Sequence, residues 1–336
     1  MLNTRYSKFL TAAVLYINFA AYLYLPYLKD FKPVQYLIVV NITLAGLGCF
    51  VLSRRWVGSF AGSFFAGAIY GFGPFTLHLA AYHPSAGLLV AAIPWLFCLA
   101  AFAARAERRV LAVPFSVLPF LAIAVFFKLA ANYGLFPVPI WTRLHLADLV
   151  ALAIPLVRIN AGPAGLGFYH VPIAALIAGL LMLLVARRFG IIIIFAVGTA
   201  LAFCKAFFDI SPIIWAVLPV LCCSVLIGAG LQALTSAGFA DRKLVLAIAV
   251  VMGILTVVTL LLATKYFQVF AGLGDRYARV LLIEAWMYIL GTIATAIVFF
   301  LTRAKLRVRL VRLILLCSAM AIDIFLGARF IVDKTL

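Results

Sequence analysis

Only a few side chains in this apolar chain are of types that do chemistry, and most are charged groups set within hydrophobic runs. Lys128 and Lys205 are cations of this kind, and two such cations brought together can hold a phosphate. Glu284 and Asp323 are carboxylates in equally apolar surroundings and could pair with them; Asp209 follows Lys205 by four positions. His78 and His83 precede a helix breaker, Pro84, and an imidazole can donate to a phosphate or a carboxylate. Five residues separate the two histidines by about 7–8 Å and ~140° around a helix, so they do not share a face and no joint metal site is expected. Arg143, His145 and Asp148 form a second polar group, in the longest connection. Asp30, flanked by Lys29 and Lys32, is the weak candidate for a catalytic carboxylate. Each of these groups also has a plain reading, as a structural ion pair or a snorkelling interfacial charge. The six cysteines show no CxxC pair or metal spacing. No Walker, HExxH or Ser-His-Asp pattern stands out, and neither a metal nor a cofactor is expected.

The elements that position these groups follow from composition. With 68% hydrophobic and only 11% charged residues, the chain has more apolar surface than a water-soluble core can bury, so its solvent is lipid. Apolar runs of about 20 residues fit a bilayer-spanning helix. They fall at 9–28, 34–53, 57–82, 86–104, 110–132, 168–186, 190–208, 212–234, 244–267, 278–302 and 310–331. The expected fold is an all-α polytopic transmembrane helix bundle of about eleven helices, a single integral membrane domain over 1–336.

Charge orients it. With the N-terminus inside, every inner segment is basic: Arg5 and Lys8; Arg54 and Arg55; Arg105, Arg108 and Arg109; Arg187 and Arg188; Arg242 and Lys243; and Arg303 through Arg312. The outer segments mix signs, and an odd count leaves the C-terminus outside. The net charge of +18 is then a topology signal and an attraction to anionic headgroups at the inner face, not a nucleic-acid surface. Placed by depth, nearly all of Asn41, His78, His83, Lys128, His170, Lys205, Asp209, Glu284 and Asp323 fall in the outer half, which suggests a polar cavity open to that side. Residues 133–167 form the long outer loop, and Trp141–Leu156 reads as an interfacial helix. Gly58, Gly62, Gly67 and Gly71 mark the third span as central, because small residues four apart let helices approach closely.

The pattern "NITLAGLGCFVLSRRWVGSFAGSFFAGAIYGFGPF", then "HPSAG" and "IPW", together with "GPAGLGFYHVPIAALIAGLLMLL", resembles bacterial GT-C-type membrane proteins of the YfhO-like group. The resemblance implies a multi-helix protein of the bacterial cytoplasmic membrane that binds or handles polyprenyl-phosphate-linked sugars or lipid at its outer face. Related enzymes carry a catalytic acid in a large first outer loop. Here that loop is only "KDFKP", which points to a shortened relative that can lack catalysis. The alternative is a transporter or flippase, or a subunit of a membrane complex with partner chains.

Overall fold

The structure, a computed structural model, describes residues 2–82, 84–105, 109–133, 144–145, 149, 152, 154–156, 167–186, 189–204, 210–269, 275–302 and 307–336. Its α-helices are α1 (Leu2–Tyr24), α2 (Tyr36–Ser53), α3 (Phe60–Phe72), α4 (Pro74–Tyr82), α5 (Pro84–Arg105), α6 (Arg109–Asn132), α7 (His170–Ala186), α8 (Phe189–Phe203), α9 (Pro212–Trp215), α10 (Val217–Ser236), α11 (Arg242–Val269), α12 (Asp275–Leu301) and α13 (Arg307–Thr335). Among the described residues, nine helical stretches are long and apolar enough to cross a membrane, and α7 and α8 add two shorter apolar helices. The protein is an all-α multi-pass membrane protein, and each expected span overlaps one α-helix or, at 57–82 and 212–234, two. The expected interfacial helix at 141–156 lies mostly outside the described residues.

The first and last helices supply a test of orientation that does not depend on charge. Tyr27, in the 3-10 turn after α1, donates to Asp333 Oδ1 at 2.5 Å. Arg329 pairs with Asp333 at 2.9 Å and donates to the Leu23 carbonyl at 3.3 Å. Its guanidinium also lies over the rings of Tyr22 and Tyr27. The C-terminal ends of α1 and α13 are therefore side by side, the two helices run the same way, and the number of crossings is odd. A cysteine placed after Lys334 should react with an impermeant thiol reagent from the side opposite the N-terminus; labelling from the N-terminal side would contradict this topology.

The third span is central, as its small residues suggest: 89% of its membrane window is buried, against 83% for α9–α10 and 17% for α6. Helices α3 and α10 cross at paired glycines. A Cβ on Gly62 would lie 2.6 Å from the Gly228 carbonyl oxygen, and one on Gly228 would lie 2.5 Å from the Gly62 carbonyl oxygen. Only hydrogen fits at either position.

One expectation is corrected. The run 57–82 is not one helix but two, α3 and α4, divided at Gly73–Pro74. Proline has no N–H to return to the carbonyl one turn back, so Tyr70 loses its helical partner. Thr76 Oγ1 donates to that carbonyl at 2.6 Å, and Tyr169 Oη donates to the Phe72 carbonyl at 2.6 Å. Pro94 likewise frees the Val90 carbonyl inside α5, and Tyr70 Oη fills it at 2.8 Å. Trp95 Nε1 donates to the Leu44 carbonyl on α2 at 3.1 Å. The "YGFGPF" and "IPW" patterns are thus a mutually satisfied pair of interruptions. Broken backbone survives at membrane depth when buried protein groups meet its freed carbonyls.

Candidate functional site

Two carboxylates of the outer half, Glu284 and Asp323, converge on His170, a residue for which the sequence suggested no partner. His170 opens α7, Glu284 lies about 13 Å along α12 from Asp275, and Asp323 lies in the second half of α13. All three are fully buried. His170 Nδ1 meets Asp323 Oδ1 at 2.9 Å, and His170 Nε2 meets Glu284 Oε2. The outer carboxylate oxygens are also engaged: Val171 N–H donates to Asp323 Oδ2 at 2.6 Å, and Leu156 N–H donates to Glu284 Oε1. The Tyr288 ring stands edge-on to the imidazole, with centroids 4.7 Å apart.

Local structure explains how each group reaches the cluster. Phe168 and Tyr169 are buried before α7 begins, so the chain enters the bundle as non-helical backbone and delivers His170 below the surface. Tyr169 packs where Gly327 leaves space on α13 and reaches the Phe72 carbonyl at the α3–α4 break. Ile154 of the outer connection packs with Ala263 of α11 and Leu281 of α12, which seats Leu156 over Glu284. The break, the outer connection and the cluster are one contiguous set of contacts.

The chemistry follows from donor and acceptor counts. A carboxylate only accepts hydrogen bonds unless it is protonated. An imidazole facing carboxylates at both nitrogens either donates twice, as imidazolium, or leaves one carboxyl to carry the proton. The cluster is therefore a place where a proton is held and can be exchanged between partners. The carboxylates sit on opposite edges of the ring, so the three groups cannot converge on one ion. Among the described residues no group of His, Cys, Asp and Glu fits a metal.

The sequence candidates divide accordingly. Among the described residues, Glu284 and Asp323 come together through His170. Lys128 is exposed on α6 and makes no ion pair among the described residues. His78 is buried, its Nδ1 2.7 Å from the Pro74 carbonyl one turn earlier. Asn41 is buried and donates to the Pro84 carbonyl at 2.8 Å, which ties α2 to the start of α5. Asp30 and His145 are exposed. His83, Arg143, Asp148, Lys205 and Asp209 lie outside the described residues. On the inner side, Arg312 is 5% exposed and donates to the Ala237 carbonyl at 2.5 Å, so one arginine of the basic 303–312 run turns into the bundle.

No family model matches this chain, and neither a curated protein nor a solved structure does. The site accordingly rests on its own geometry.

Proposed function

We propose that the protein binds a lipid-linked phosphate, of the polyprenyl-phosphate sugar class, at its outer face, and that Glu284, His170 and Asp323 are the proton-holding groups of that site. The observation that carries the reading is the complete burial of three joined ionisable side chains in the outer half of the bundle, beneath Leu156. Ionisable groups at membrane depth are costly and mark functional sites by default. The pattern over 39–102 supports the substrate class as a resemblance. Leu156 N–H binds the Glu284 carboxylate, so displacement of the outer connection by a ligand and exchange of a proton at the cluster are thermodynamically linked.

The test uses the full chain in nanodiscs with a short polyprenyl phosphate, in weakly buffered solution carrying a pH indicator. The expected result is that binding moves protons between protein and solution, and that Glu284→Gln abolishes this movement while the variant stays folded. Binding without any proton movement, or no binding, would overturn the reading.

A second reading, transport of such a lipid between leaflets, is favoured by the broken α3–α4 helix held through Tyr169 beside the cluster, since discontinuous helices are a common device of transporters. It requires that labelled lipid cross liposome membranes faster when the wild-type chain is present than when the His170→Asn variant is.

A further inference from the structure

We infer that the groove between the α5–α6 pair and the α8–α10 pair holds an acyl chain of an anionic phospholipid from the inner leaflet, with its phosphate at Arg55. This inference is independent of the outer-face reading, because the groove lies in the other half of the bundle. Its volume is about 540 Å³. A gap left by imperfect packing holds about one water, whereas ligand pockets run from about 300 to 1,000 Å³. Small residues make the room: Ala101 and Ala104 on α5, Ala112 on α6 and Gly190 on α8 all line it, and a Cβ on Gly190 would meet nothing within 4 Å.

The depth of the groove is fixed by the ends of its helices. Arg55 and Trp56 follow α2 directly, Ala104 is next to the last residue of α5, and Gly190 is the second residue of α8. All of these are the ends that loop charge assigns to the inner side. The groove is partly open, and the neighbouring faces of α6 (Val110, Val113, Val117) and α8 (Ile193, Val197) are exposed apolar surface that lies against lipid. A mostly apolar groove reached from the bilayer is filled by hydrocarbon, not by water.

Charge selects the headgroup. The Arg55 guanidinium is exposed at the rim and, among the described residues, makes no hydrogen bond or ion pair, whereas that of its neighbour Arg54 donates to the Gly58 carbonyl at 2.9 Å. Trp56 beside it has the amphipathic ring that settles at headgroup level. A free guanidinium at that depth, on a face whose connections are basic throughout the sequence, matches a phosphate with net negative charge.

The full chain reconstituted in nanodiscs of mixed phosphatidylglycerol and phosphatidylcholine, then released for native mass spectrometry, tests the inference. Wild type is expected to retain phosphatidylglycerol preferentially. Arg55→Gln should lower that preference about fivefold, the effect of one positive charge near an anionic headgroup, with total retained lipid unchanged. Gly190→Leu, which fills the groove without meeting backbone, should lower retention of both lipids. Gly253→Leu on α11, where a Cβ also meets nothing within 4 Å, should match wild type. Equal retention of the two lipids by wild type, or wild-type retention by Gly190→Leu, would overturn it.

Discussion

His170→Ala is expected to destabilise this protein more than any other single side-chain truncation. The substitution leaves the Asp323 and Glu284 carboxylates buried, facing a void where their shared partner stood. Removing one member of a buried ion pair costs ~3–5 kcal/mol, because the remaining charge loses its compensation. The expected result is a large fall in thermal stability in detergent and in the yield of monodisperse protein. The triple variant His170→Leu/Glu284→Leu/Asp323→Leu should recover much of that loss, since apolar replacement of a whole buried ionic group is often neutral or stabilising. If the triple variant is as unstable as His170→Ala, the cost lies in shape and not in stranded charge. A triple variant that recovers stability but no longer exchanges protons on ligand binding would separate the cluster's functional role from its structural one.

The second large effect is expected for Gly228→Leu. Its new Cβ would enter the α3–α10 crossing at 2.5 Å from the Gly62 carbonyl oxygen, with the Ala66 Cβ at 2.9 Å. Neither neighbour is a flexible side chain, so the helices must separate. Overpacking in a well-filled core costs about 1–3 kcal/mol, and a backbone contact belongs at the upper end of that range. The two most buried crossings of the bundle meet here, so loss of the native elution profile in size-exclusion chromatography is the expected readout. Gly253→Leu serves as the matched control, and equal behaviour of the two variants would contradict the packing described.

Sequence reading recovered what is local and missed what depends on backbone or on distant pairing. Hydropathy and loop charge are carried by neighbouring residues, so the spans and the odd count were legible. The α3–α4 break was not, because hydropathy runs through "GFGPF" without interruption while Pro74 changes only the hydrogen bonding. Glu284 and Asp323 were recognised as costly charges, and opposite sign suggested lysine partners. Among the described residues the partner they share is one histidine, which serves both carboxylates because its two nitrogens point in opposite directions. Residue type could not reveal that pairing across 114 and 153 positions of sequence. Arg312 was read as an ordinary basic residue of an inner loop. It turns inward because the C-terminal end of α10 presents the unpaired Ala237 carbonyl.

The wide spacing of the cluster along the chain has a consequence during biosynthesis. At about 5–20 residues per second, Asp323 follows His170 out of the ribosome by roughly 8–30 s. Glu284 follows His170 by roughly 6–23 s, and until then His170 belongs to an inserted but unfinished protein with neither acceptor yet made. Only α12 and α13, made after α11, bring them. A chain that stops after α11 therefore keeps an unsatisfied imidazole at membrane depth, a defect by which the cell's quality-control machinery can tell an incomplete copy from a finished one.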